Sequence, residues 1–190
     1  MEKGLAGSKK KAVAERRTIV FLDESGLSEQ PHCARTWAPC GQTPVLEFNF
    51  NWQRRSVIAG LTVRSFYFRL HPGAIRTTQV IAFLGQLRRQ IRGRMLLIWD
   101  RAQIHRSGRV RRYLERANGR ITTAFLPAYA PELNPVEYLW AYWKKNELAN
   151  FCPKNIWQLS HFASQALKRV RRRTKQIALI AAFYHQAELL

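Results

Sequence analysis

The chain has 190 residues, 46% of them apolar, and carries 32 Lys and Arg against 12 Asp and Glu, a formal charge of +20 at neutral pH. That length and apolar content suit one ordinary domain with a sizeable core and exclude wholesale disorder. So large a positive charge is most easily tolerated beside a polyanion, nucleic acid before anionic membrane, because no apolar run approaches the roughly 20 residues of a spanning helix.

The N-terminal MEKGLAGSKKKAVAERR has no apolar stretch after its basic residues, so no secretory signal is predicted and a cytoplasmic, nucleoid-associated protein is expected. Residues 1–17 are basic and aperiodic, which predicts a tail or linker. Residues 18–22 (TIVFL) form an unbroken apolar run ended by Asp23, and continuous apolarity predicts a central strand covered on both faces. Residues 56–63 and 66–70 predict two more strands, joined as a hairpin around Arg64 and Ser65. Over residues 77–92, Val80, Ile81, Leu84, Leu87 and Ile91 recur at helical spacing, and Gly93 supplies the stop. Residues 95–99 (MLLIW) then repeat the first pattern and end on Asp100. A helix over 107–118, with Val110 and Leu114 inward, leads to a fifth strand at 121–126. The stretch LPAYAPELNPVEYLW starts a helix running to about Ala149. Residues 156–190 predict one or two more, with Leu159, Phe162, Ala166, Val170, Ile177, Ile180 and Tyr184 apolar and a basic run at 168–173 interrupting them.

Strand, hairpin, then alternating helices and strands imply an α/β fold: a mixed five-stranded sheet with helices on both faces. Sites in such folds collect at strand C-termini, where Asp23 and Asp100 sit. If their strands are neighbours, their backbones lie about 4.8 Å apart. Two carboxylates that close stay ionised together only with a cation between them, and a hard divalent ion such as Mg²⁺ suits oxygen ligands. Glu137, in the helix after the next strand, is placed to be a third ligand. It has a competing role. Asn134 is a good N-cap, Pro135 suits the first helical position, and Glu137 falls where a capping box puts its acid. Cys33, Cys40 and Cys152 are an odd count without paired CxxC spacing, so neither a disulfide framework nor a zinc site built on His32 and Cys33 is expected.

FLDESG around Asp23, RTWAPCGQTP at 35–44, IWDRAQIHRS at 98–107 and LPAYAPELNPVEYLW together resemble the catalytic domain of the bacterial insertion-sequence branch of the mariner superfamily of transposases. The resemblance covers roughly residues 17–190 and implies an RNase H-like fold and two Mg²⁺ or Mn²⁺ ions. It also implies an Asp-Asp-Glu triad on Asp23, Asp100 and Glu137, cleavage at transposon ends and strand transfer into target DNA. Double-stranded DNA is the implied partner, with a homodimer or a complex with full-length or frame-split transposase. Relatives carry helix-turn-helix modules ahead of this domain. None fits before Thr18, so a catalytic domain alone is expected, from a frame-split or truncated gene. Two alternatives remain: a non-catalytic DNA-binding or inhibitory fragment, and another RNase H-like nuclease. Many relatives have Asn where Arg101 stands here.

His105 resembles the family's histidine after the second Asp, a candidate to orient a phosphate or water, and Asn134 is a candidate supporting residue. Glu24 points to the opposite face from Asp23 if the strand continues. Trp52, Trp99, Trp140, Trp143 and Trp157 read as core, and Trp37, in a loop-like stretch, as a DNA contact. Arg35, Arg54, Arg55, Lys144, Lys145, Arg171, Arg172 and Arg173 are the basic candidates for phosphate binding.

Overall fold

The structure is a computed structural model that describes residues 3–48, 53–128 and 130–173. Trp52 and the expected helical positions Ile177, Ile180 and Tyr184 lie outside the described residues.

Five strands form one sheet: β1 (Thr18–Ser28), β2 (Arg54–Leu61), β3 (Phe66–Pro72), β4 (Met95–Trp99) and β5 (Ile121–Phe125), in the order β3-β2-β1-β4-β5. The first three are antiparallel, with β2 and β3 joined as the expected hairpin, while β1/β4 and β4/β5 are parallel. The helices are α1 (Lys3–Ala14), α2 (Thr77–Gln90), α3 (Gly108–Arg116), α4 (Pro135–Tyr142) and α5 (Ile156–Arg172). Between α4 and α5 the chain passes through a π-helical turn at Trp143–Glu147. The mixed sheet predicted from the order of apolar runs is the sheet observed.

Alternation along the strands divides the core in two. Phe21, Ala59, Leu96 and Ile98 face Val136, Leu139, Trp143 and Leu167 of α4, the π turn and α5. Val20, Leu22, Ile58 and Leu97 face Val80, Phe83, Leu84 and Leu87 of α2 and Val110 of α3. Each such side chain fully removed from water is worth roughly 1.5–3 kcal/mol. This explains why the β1 and β4 runs are apolar at every position. Gly60 lets the second layer close: a Cβ there would lie 3.1 Å from Val20 Cγ1 and 3.4 Å from Leu87 Cδ2.

The structure departs from the sequence reading in four places. The segment read as a tail or linker contains α1, with Ala12 buried and Leu5 packed against the core. Two small apolar contacts two turns apart leave no stripe wide enough to register as helical periodicity. β1 continues to Ser28, well past its apolar run, because β2 pairs with it from Phe21 to Ser28, so Asp23, expected at the strand's C-terminus, lies within it. The helix expected to reach Ala149 changes to π geometry at Trp143. Finally, the basic run does not interrupt α5, which continues through it to Arg172 because Leu167 and Val170 stay in the core.

Candidate active site

Parallel pairing of β1 with β4 runs from Thr18↔Met95 to Phe21↔Ile98, and the same register carried onward sets Asp100 against Asp23. Asp23 shares its face of β1 with Phe21, toward α4, whereas Glu24 shares its face with Leu22, toward α2.

Asp23 is only 9% exposed, and the indole N–H of Trp140, one turn after Glu137 on α4, donates to its Oδ2 at 3.0 Å. Burial pushes the Asp23 carboxyl up to about 7; the nearby Glu137 and Glu24 carboxylates add to the rise, and the Trp140 hydrogen bond opposes it. Two like charges therefore act on Asp23 across the strand end.

Glu137 is exposed, and its capping role is not taken up. The Asn134 side chain caps α4 by accepting from Val136 N at 3.2 Å. The Asn134 N–H, which a capping-box acid would accept from, donates instead to Pro131 O at 2.9 Å, closing the short 3-10 turn Pro131–Leu133. PELNP thus builds the start of α4 without using Glu137.

Beyond β4, the Asp100 Oδ1 accepts from Ala102 N at 3.0 Å and lies 2.7 Å from His105 Nδ1. The other ring nitrogen, Nε2, lies 3.0 Å from Glu24 Oε1, and the imidazole stacks on the buried Trp99 ring at 4.5 Å between centroids. Burial alone would push His105 down, but hydrogen bonds and charge from Glu24 and Asp100 outweigh it and hold the imidazole above its usual value. His105 thus bridges Asp100 and Glu24. Among the described residues no three His, Cys, Asp or Glu side chains stand close enough to hold one metal ion. Asp100 Oδ1 is thus engaged with His105 and the Ala102 N–H.

Two site features are not readable from the sequence. Alternation along the strand gives Glu24 its correct face, but its partner His105 is 81 residues away in sequence. Trp140 is core, as expected, yet its N–H serves Asp23; its spacing of three from Glu137 is the available signal.

The candidate DNA contacts divide. Arg35 and Trp37 are exposed on a loop that Asn150 pins by accepting from Ala34 N and donating to Ala34 O. Arg54, Lys145 and Arg172 are exposed and Lys144 is half-buried. Arg55 is engaged, donating to Ser160 Oγ at 2.8 Å and lying over the Trp157 ring. Arg171 lies over the Phe68 ring, and Arg173 donates to Tyr142 Oη and Glu147 Oε1. Trp157, expected in the core, is 76% exposed. Its apolar neighbours Ile156 and Leu159 take the inward positions of α5, leaving its ring to Arg55.

In metal-free solution these groups make stability depend on pH. Between 3.8, the value of an unburied Asp, and about 7, native Asp23 keeps a proton that the unfolded chain has released, so stability falls as pH rises across that interval. His105, raised in the native state, contributes fully below 6.5 and loses that contribution as pH rises through its higher native value. Both act in the same direction. The Asp23 part is at most roughly 4 kcal/mol, since each unit is worth about 1.36 kcal/mol. Urea midpoints measured in EDTA should fall between about pH 5 and pH 8, and Asp23→Asn should remove most of that slope. A wild-type midpoint independent of pH would refute this reading of the site.

An RNase H-like fold is what this sheet order defines, with one acid within the central strand, one just past the end of its parallel neighbour and one on the helix beyond them. The sequence agrees: residues 18–159 match the family model for the DDE superfamily endonuclease, and the chain belongs to that family. Among solved structures, the catalytic domain of Mos1 mariner transposase matches with a TM-score of 0.55 and 18% identity over 94% of this chain and 91% of that one. The Mos1 strand transfer complex matches at 0.58 and 18%, over 93% of this chain. The Mos1 mariner paired end complex with Mg matches at 0.58 and 18%, over 94% of this chain. The chain spans about 59% of the Mos1 chain in the strand transfer complex. Comparison with curated proteins found no match. Among the described residues no helix is long and apolar enough to cross a membrane.

Proposed function

We propose that this chain is a transposase catalytic domain that cuts DNA at transposon ends and joins the freed 3′ end to target DNA, with Asp23, Asp100 and Glu137 as its triad. The observation that carries this reading is the Glu137 carboxylate, which stands outside the helix cap and acts by charge on Asp23, buried in the central strand. An acid that serves only the fold has no reason to crowd another acid.

The donor set fits divalent metal. It is all carboxylate oxygen, suited to Mg²⁺ or Mn²⁺, and Asp23 sits among like charges that a cation would neutralise. The Mos1 structures with Mg and Mn support the same choice. When bound, two such ions would supply charge neutralisation at the phosphodiester and lower the pKa of an attacking water. The protein's own part is positioning. Trp140 orients the Asp23 carboxylate, and His105, fixed by Glu24 and stacked on Trp99, orients Asp100. Arg35, Arg54, Lys145, Arg172 and Trp37, all exposed, are the residues proposed to take phosphates and a base of the duplex. No covalent nucleophile is required. Association as a homodimer or with a full-length or frame-split transposase, in the cytoplasm at the nucleoid, completes the proposal.

The test supplies the inverted repeats that flank the gene as labelled duplex, with Mg²⁺ or Mn²⁺ and a target plasmid. Strand-specific nicking followed by joined product supports the reading. Nicking without joining would identify a different nuclease of this fold, and metal-independent binding without any product a non-catalytic fragment.

A further inference from the structure

A second basic region lies at the opposite end of the sheet from the acids. Here α2 ends, β4 and β5 begin, and a cavity of about 330 Å³ opens between α2 and α3, lined by Gly85, Arg88, Arg89, Tyr113 and Arg120. Arg120 is held in place. Its Nη2 donates to Arg88 O at 2.9 Å and its Nε to Gly93 O at 3.3 Å, so the half-buried guanidinium is fixed by backbone. Exposed Arg94 lies at the same end, where its carbonyl accepts from Thr18 N at the start of β1. Glu15, on which the Arg94 charge acts, is already paired with Arg17 and Lys11. Among the described residues no carboxylate pairs with Arg88, Arg89, Arg94 or Arg120.

Gly85 adds a second observation. It sits inside α2, where glycine costs roughly 0.5–1 kcal/mol relative to alanine. Packing does not demand it: a Cβ there would meet Tyr113 Oη at 3.6 Å and Arg89 Nη1 at 3.8 Å, ordinary contact distances. The missing side chain leaves the cavity floor open between three guanidinium-bearing residues. A cavity lined by three arginines, one of them fixed, and by no carboxylate has the chemistry of a phosphate site.

We propose that this cavity and the arginines around it bind the phosphate backbone of duplex DNA at a place separate from the acids, independently of base sequence. From Arg94 to Asp100 is roughly 20 Å along β4, at about 3.3 Å per residue. Phosphates held here would lie about six base-pair steps away from the acids, at roughly 3.4 Å per step. Binding at this end needs neither metal nor cleavage, so it stands or falls independently of the catalytic site.

The experiment measures affinity for a duplex of random sequence as a function of salt, in EDTA, with the full chain. Each phosphate contact contributes about −0.9 to the slope of log K against log salt, so Arg88→Ala/Arg89→Ala should flatten the slope by about 2 and weaken binding tenfold or more near 100 mM salt. A charge-matched control, Arg69→Ala/Lys168→Ala, removes two exposed basic residues elsewhere and should change the slope by less than half as much. Gly85→Glu, which keeps every arginine and puts a carboxylate into the cavity, should weaken binding as the arginine variant does while raising thermal stability. Equal losses in the control, or an unchanged slope in the arginine variant, would overturn the proposal.

Discussion

Glu137→Gln is expected to abolish DNA cleavage while leaving the fold as stable as before. Asn134 caps α4, and the cap's own N–H is occupied by Pro131 O, so the Glu137 side chain has no capping bond to lose. Its exposed position at the third residue of α4 gives only a helix-dipole contribution, well under about 1 kcal/mol. Removing its charge also lessens the repulsion on Asp23, whose carboxyl burial and Glu137 together hold near 7, so metal-free stability above that pH should rise slightly. Catalysis has no such tolerance. An amide offers one weaker oxygen where a metal site needs a charged carboxylate, and turnover should fall by roughly a thousandfold or more, about 4 kcal/mol in the transition state. Thermal melting in EDTA and cleavage with Mg²⁺, measured on the same preparation, separate the two roles. A variant that melts early yet cuts normally would return Glu137 to the helix cap and send the third ligand elsewhere.

Asp100→Asn should be as inactive, with a different signature in the metal-free protein. The amide oxygen can still accept from Ala102 N, so the turn after β4 persists. What disappears is the negative charge beside His105, which helps hold that imidazole above its usual value. The His105 titration, followed by NMR of the ring, should therefore move down, although Glu24 on the other nitrogen keeps part of the rise. Repulsion between paired acids predicts that this substitution stabilises the metal-free fold. The structure reverses that expectation below neutral pH, where a charged His105 loses one of its two carboxylate partners. Normal cleavage by Asp100→Asn, or an unmoved His105, would remove Asp100 from the site.

The two central strands are legible in the sequence because their apolar runs are buried on both faces: TIVFL and MLLIW carry no alternation to be misread, and an acid follows each run, although β1 continues past Asp23. Glu137 is legible as a candidate but not as a decided one, since Asn-Pro-Val-Glu satisfies cap and ligand equally. What separates them is a backbone bond from Asn134 to Pro131, and no residue pattern records it. The roles of Glu24 and Trp140 depend on which strand and helix meet across the sheet, a tertiary fact. The basic candidates mix two populations. Arg55, Arg171 and Arg173 make contacts within the protein through Ser160, Phe68 and Glu147, and only the folded arrangement tells such arginines from those without an intramolecular role.

The π turn at Trp143–Glu147 has a consequence for how this chain tolerates changes of length. A π turn is an α-helix holding one residue more than its path needs, and each residue added rotates the downstream chain by about 100°. That offset is what presents Trp143 to the core while turning Glu147 toward Arg169 and Arg173 of α5. Loss of a single codon within 144–146 would relax the segment to ordinary helix and swing Glu147 off its two arginines, with Glu147 itself chemically intact. This segment is therefore sensitive to residue count more than to residue identity: a missing residue does there what few substitutions could.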